Sequence, residues 1–203
     1  GNAKLSIDER GQANSAIELD GFGDAMIVQP SPKFNLRNEV TLAFKFMSRV
    51  DNQRQEYLAM EEFTTGQGTM FGVGTTQPAS AQFLTAGVII PGIYTCGTYP
   101  VVTDAVGVTT AFNPVENVWY HLALVYTTTS YRIYIDGNKI AEVATNGKPF
   151  PYCSTANLLI GSWWVSDMIS LNGKMDDVRV YNRALTEKEL SDLFKVSLYL
   201  RKG

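Results

Sequence analysis

NVWYHLALVYTTTSYRIYIDGNKIAEV, residues 117–143, decides the fold. From Trp119 to Tyr126 both alternating sets are apolar or aromatic: Tyr120, Leu122, Leu124 and Tyr126 on one side, Trp119, His121, Ala123 and Val125 on the other. A strand apolar on both faces belongs in the middle of a sheet and is covered twice. Tyr131 to Ile135 alternates again, and Asp136-Gly137 supplies the positive backbone angles of a two-residue hairpin turn before Lys139 to Val143 returns. The chain is therefore built from sheets.

Working outward, 203 residues with no dividing linker suit one domain, 1–203, since β-sandwiches of about 200 to 250 residues fold as single units. A hydrophobic share of 45% is enough for a substantial core. The net charge of −3, with no cluster of Lys and Arg, excludes the basic face that a nucleic-acid partner requires. No apolar run approaches the roughly 20 residues of a membrane span. The opening GNAKLSIDERGQ is polar, so a signal peptide or lipid anchor is expected to have been removed or never to have existed. Cys96 and Cys153 are the two cysteines. Paired, they close a loop of 58 residues (153 − 96 + 1) and add about 4 kcal/mol in the chain-entropy picture. Two reduced core thiols are the alternative, and spacing leaves both open.

In chain order, residues 1–15 read as a polar extended lead-in. Short strands are expected at Ala16 to Leu19 and Ala25 to Gln29, separated by the sharp turn DGFGD with Asp20, Gly21, Gly23 and Asp24. Thr41 to Met47 alternates cleanly, RVDNQRQE reads as a loop, and Tyr57 to Met60 and Met70 to Gly74 follow as strands. Further strands are expected within Gln82 to Ile90, Val106 to Phe112, Leu158 to Ser162 and Lys174 to Tyr181. At LTEKELSDLF the period changes. Thr186 with Glu189 forms a capping box and Leu185 with Leu190 a hydrophobic staple, predicting a helix over Glu187 to Phe194, with KVSLYLRKG returning as an edge strand. About a dozen strands with one terminal helix describe an all-β, antiparallel two-sheet sandwich of jelly-roll type.

These residues carry a resemblance. NVWYHLALVY, YRIYIDGNKIAEV, LLIGS and LNGKMDDVRVYNRALTEKEL resemble the laminin-G-like domain of the concanavalin A-like lectin and glucanase superfamily, most strongly over the last 90 or so residues. The closing segment, Gly173 to Thr186, differs from the family's form in having Met175 for Ile and Asp177 for Glu. IELDGFGDAMIV and TLAFKFM match the opening strands more faintly. The resemblance implies a concanavalin A-like sandwich; one scaffold serves many tasks, so function needs its own argument.

Glycan-cleaving relatives use a Glu-x-Asp-x-Glu strand, because hydrolysis needs two carboxyls flanking one bond. This chain has no such run, and Glu61-Glu62 point to opposite faces of a strand, so no enzyme is expected. His121, the only histidine, reads as a packed or hydrogen-bonded strand residue rather than a general base. For a hard cation, Asp20, the Gly21 carbonyl and Asp176 are candidate calcium ligands if the first and last strands are neighbours, since calcium collects carboxylate and turn-carbonyl oxygens. Asp176 matches the calcium-binding aspartate before the last strand of related glucanases. Turn-stabilising carboxylates are the competing role. For a glycan, aromatic faces beside polar groups are the expected equipment. Trp163-Trp164 lead, because adjacent residues at a strand end cannot both enter the core; Tyr94, Tyr99, Phe150 and Tyr152 lie in other loops that one rim could gather. The expectation is a non-catalytic carbohydrate-binding, lectin-like module of a secreted, extracellular or cell-surface bacterial protein. A protein-interaction or spacer domain is the alternative.

Overall fold

The computed structural model describes residues 2–50, 53–62, 68–76, 83–89, 105–162 and 169–199. In chain order its strands are β1 (Lys4–Ser6), β2 (Ala16–Asp20), β3 (Met26–Val28), β4 (Glu39–Ser48), β5 (Gln55–Glu62), β6 (Gly68–Thr76), β7 (Phe83–Ile89), β8 (Ala105–Thr109), β9 (Trp119–Thr127), β10 (Ser130–Ile135), β11 (Asn138–Ala144), β12 (Ala156–Ile160) and β13 (Asn172–Tyr181), followed by helix α1 (Glu187–Tyr199). They form two antiparallel sheets. The first runs β1-β2-β13-β4-β9-β10-β11 and the second β3-β12-β5-β6-β7-β8.

The reading of β9 explains the layering. It lies between β4 and β10, and its Leu122, Leu124 and Tyr126 enter the core between the sheets. Its Ala123 and Val125 face outward, where Leu185 and Leu190 of the α1 region cover them together with Ala43 and Tyr134. The β10-β11 hairpin turns on Asp136 (φ 50°) and Gly137 (φ 79°), both in the left-handed region that a two-residue turn demands. The Asp136 carboxylate accepts the His121 amide at 2.8 Å, which locks the hairpin to β9. Between the sheets, Phe46 stacks on Tyr57 with ring centroids 4.3 Å apart, and Phe44 and Tyr120 border the pair.

The capping box forms as expected: the Glu189 carboxylate accepts the Thr186 amide at 2.8 Å and the Thr186 hydroxyl accepts the Glu189 amide at 3.2 Å. Thr186→Ala should lower stability by about 1 kcal/mol, read as a reduced urea midpoint at unchanged slope.

Three expectations are corrected. The polar lead-in contains an edge strand, β1, paired with β2 from Lys4↔Glu18 to Ser6↔Ala16. The end of RVDNQRQE is strand, because β5 begins at Gln55. The segment expected as an edge strand after Phe194 instead continues α1 to Tyr199; once a capped helix has nucleated, each added residue gains a hydrogen bond with no new nucleus.

Candidate functional site

A sandwich offers two outer faces, two rims and its edges. The middle of the first sheet's outer face is covered. Helix α1 covers one part, and beyond it Lys45 of β4, with its side chain 3% exposed, bridges Glu9 at 2.7 Å and Asp177 at 2.9 Å. Asp177 reaches Lys45 through a bulge in β13, where φ is 51° and the register with β4 jumps between Asp176 and Arg179. His121 is buried on this face against the Phe194 ring, and burial, with the Lys45 charge beside it, lowers its pKa to about 4. It is a neutral packing residue, as its strand position implies.

The outer face of the second sheet is built from small residues. One register line runs Leu159, Ala59, Gly72, Gly87, Gly107 across five strands, and the next runs Glu56, Gly74, Thr85, Thr109. A Cβ on Gly74 would sit 2.1 Å from the Gln55 carbonyl oxygen and 2.8 Å from a Glu56 carboxyl oxygen, so the Glu56 side chain occupies the space the glycine leaves. Desolvation raises the Glu56 carboxyl to about 8, with Arg54 opposing and Glu61 adding to the shift. Glu61 alternates onto the same face and is fully buried. Sequence reasoning missed Glu56 because its charged neighbours look like loop; the one available signal was the alternation of Gln55, Tyr57 and Ala59.

One rim carries the Asp20–Asp24 turn. Asp20 accepts the Phe22 amide at 2.9 Å and the Asn2 side-chain amide at 3.0 Å, and these bonds hold its pKa below the ordinary value. Asp24, fully buried, takes the Asp20 amide at 3.0 Å and the Asn2 amide. Gly21 (φ 85°) lies so close to Asn172 that a Cβ would approach its Cβ to 2.8 Å. Strands β2 and β13 are neighbours, as expected, but Asp20 pairs with Asn172. Asp176 is four residues farther along, about 13 Å at the strand rise, on the face beside Lys45. One ion shared by Asp20, Gly21 and Asp176 is therefore excluded by register. Asp176 instead accepts the Asp177 amide at 2.6 Å, while desolvation raises its pKa. Among the described residues no three His, Cys, Asp or Glu side chains are grouped to hold a metal.

The aromatic candidates separate. Phe150 is core, its ring 5.2 Å from Tyr126 and 6.0 Å from Phe71. Tyr152 is half-buried beside Cys153, which is disulfide-bonded; Cys96 is the chain's other cysteine. Trp163, Trp164, Tyr94 and Tyr99 lie outside the described residues.

A groove of about 480 Å³ opens at the sandwich edge, between the end of β3 with its following 3-10 turn (Pro32–Phe34) and the end of β13. Phe34, Leu36 and Val180, packed on the main core, supply apolar walls, and Gln29, Lys33 and Asn182 the polar groups. Its two sides are separated by about 150 positions in sequence, which is why no local pattern announced it.

The profile of a laminin-G family, described as Concanavalin A-like lectin/glucanases superfamily, matches residues 20–191. No curated protein matches the chain. Among solved structures it is similar to the binding domain of Paraclostridial Mosquitocidal Protein 1 (16% identity, TM-score 0.64, covering 97% of this chain and 47% of that one). It is also similar to domain 4 of AbnA, a GH43 extracellular arabinanase from Geobacillus stearothermophilus, in complex with arabinotriose (15%, 0.66, 95% and 81%). A third is the Ruminococcus gnavus IT-sialidase CBM40 bound to alpha2,3 sialyllactose (14%, 0.66, 89% and 96%). The chain thus spans under half of the first structure but most of the other two, and at these identities the likeness is one of fold.

Proposed function

This chain belongs to the laminin-G-like family of the concanavalin A-like lectin/glucanases superfamily, and from that membership we propose that it is a non-catalytic carbohydrate-binding module of a secreted or cell-surface bacterial protein. The observation that carries the proposal is the burial of Glu56 and Glu61. Hydrolysis needs an acid and an ionised partner that both reach a glycosidic bond, and here the carboxyls sharing one face are withdrawn from solvent. Saccharide-bound neighbours of the same fold support the binding half, and the Cys153 disulfide suits an oxidising compartment.

Trp163 and Trp164 remain the leading ring platform, with Tyr94, Tyr99 and Tyr152 as accessory rings. One stacked ring with a few hydrogen bonds, supplying about 4 to 5.5 kcal/mol, corresponds to a dissociation constant of about 0.1 to 1 mM. A glycan array followed by calorimetric titration tests the reading: a saccharide should bind, and Trp163→Ala or Trp164→Ala should weaken it about tenfold. No saccharide bound across a broad neutral and acidic panel removes the proposal. Calcium stays in this reading only at the Asp20 turn, as a stabilising ion; a melting temperature equal in calcium and in chelator deletes it. One observation favours the second reading, a protein-docking or spacer role: Phe22, Val115 and Val118 are 66%, 59% and 40% exposed.

A further inference from the structure

We propose that the edge groove between the β3 end and the β13 end binds an acidic sugar residue, through Lys33. The inference rests on the carbohydrate-binding reading and adds to it a second place, besides the ring platform, and a ligand chemistry. The groove's volume, about 480 Å³, falls within the range of about 300 to 1,000 Å³ typical of small-ligand sites. Its walls combine the Phe34 and Tyr181 rings with the Gln29 and Asn182 amides. Rings cover the apolar face of a pyranose, and side-chain amides pair with its hydroxyls in both directions. Among the described residues that line it, Lys33 is the one that is charged, and none is a carboxylate. Lys45 is engaged by Glu9 and Arg183 by Glu189, whereas Lys33 has no acidic partner among the described residues. A lone ammonium at an apolar, hydroxyl-compatible groove selects a ligand that brings its own negative charge. The lining is also held in advance. Pro30 and Pro32 fix the backbone beside the groove, and the Ser31 hydroxyl caps the turn by accepting the Lys33 amide at 3.3 Å. Little ordering cost is therefore left for binding.

Sialic and uronic acids share the required chemistry, a carboxylate on a six-membered sugar ring, and the experiment separates them. The full chain is titrated calorimetrically with lactose, 3′-sialyllactose and digalacturonic acid. One of the acidic ligands should bind at least about tenfold more tightly than lactose, and Lys33→Ala should remove that preference. Lys33→Arg should keep it within about threefold, and raising salt from about 50 to 300 mM should weaken the acidic ligand alone. Asn182→Ala, an exposed position, should weaken binding of the same ligand. Equal affinity for neutral and acidic ligands, or an acidic preference untouched by Lys33→Ala, overturns the groove assignment while the module reading stands. Failure to bind any saccharide overturns both.

Discussion

Lys45→Ala is expected to remove about 3–5 kcal/mol of unfolding free energy, a large part of what a domain of this size has. The ammonium sits under the covering of the first sheet's outer face, 2.7 Å from Glu9 and 2.9 Å from Asp177, with Lys45 and Glu9 side chains 3% and 5% exposed. Deleting the cation leaves the Glu9 carboxylate buried without its bridge; Asp177 is less affected, being 32% exposed and also bridged to Arg179 at 3.1 Å. The cost thus includes the desolvation of a buried anion that has lost its Lys45 bridge, as well as the attraction lost. That distinction has its own signature. Lys45→Met/Glu9→Gln, which removes both charges and keeps the packing, should recover much of the loss, giving a strong positive coupling in a double-mutant cycle. Urea denaturation measures both; a Lys45→Ala cost under about 1 kcal/mol would mean that water, not Lys45, solvates Glu9. Lysine and histidine are also linked. The Lys45 charge helps to hold His121 neutral, so in Lys45→Met the histidine pKa should rise.

What was legible in the chain was what local period and turn chemistry determine. Both faces of β9, the Asp136-Gly137 hairpin and the Thr186–Glu189 cap all appear where the pattern put them. The rest depends on pairing that no short window contains. β2 and β13 are adjacent, but register, which a stretch of sequence does not specify, separates Asp20 from Asp176. β1 is three residues, Lys4–Ser6, with no alternation to read, and it exists because β2 offers it an edge. Phe150 sits in a polar, proline-containing segment that looks like rim and is core, because the chain returns across Tyr126 before entering β12. The edge groove is wholly tertiary, drawn from the turn after β3 and the last residues of β13.

Between pH 6.5 and 8 the protein is expected to lose roughly 2 kcal/mol of stability, and Glu56→Gln is expected to flatten that slope. Buried Glu56 keeps its proton to about 8 in the folded chain, against an ordinary value of 4.5. Between those values the folded state carries one more proton than the unfolded one, so stability at Glu56 is greatest below 4.5 and falls by about 1.4 kcal/mol per pH unit as pH rises. His121 works in the other direction. Its pKa is lowered from 6.5 to about 4, so from 4 to 6.5 the unfolded state takes up the extra proton and stability rises with pH at a similar slope. The two offset one another below 6.5; above it His121 is neutral in both states and Glu56 acts alone. Glu18 and Asp177, both lowered from ordinary carboxylate values, lose their contributions only as pH falls into the acid range. The buried tyrosines Tyr57 and Tyr131, raised from 10, act only in strong base. The 6.5 to 8 window therefore isolates one carboxyl. In Glu56→Gln the amide keeps the shape over Gly74 and cannot ionise, so its urea midpoint should hold steady to pH 8, while below 6.5 it should show the rising limb of His121 uncovered. A variant with the wild-type slope above pH 6.5 would assign the titration elsewhere. It would also reopen the case for an ionised Glu56 beside Glu61, the arrangement on which a hydrolytic reading of this face would have to stand.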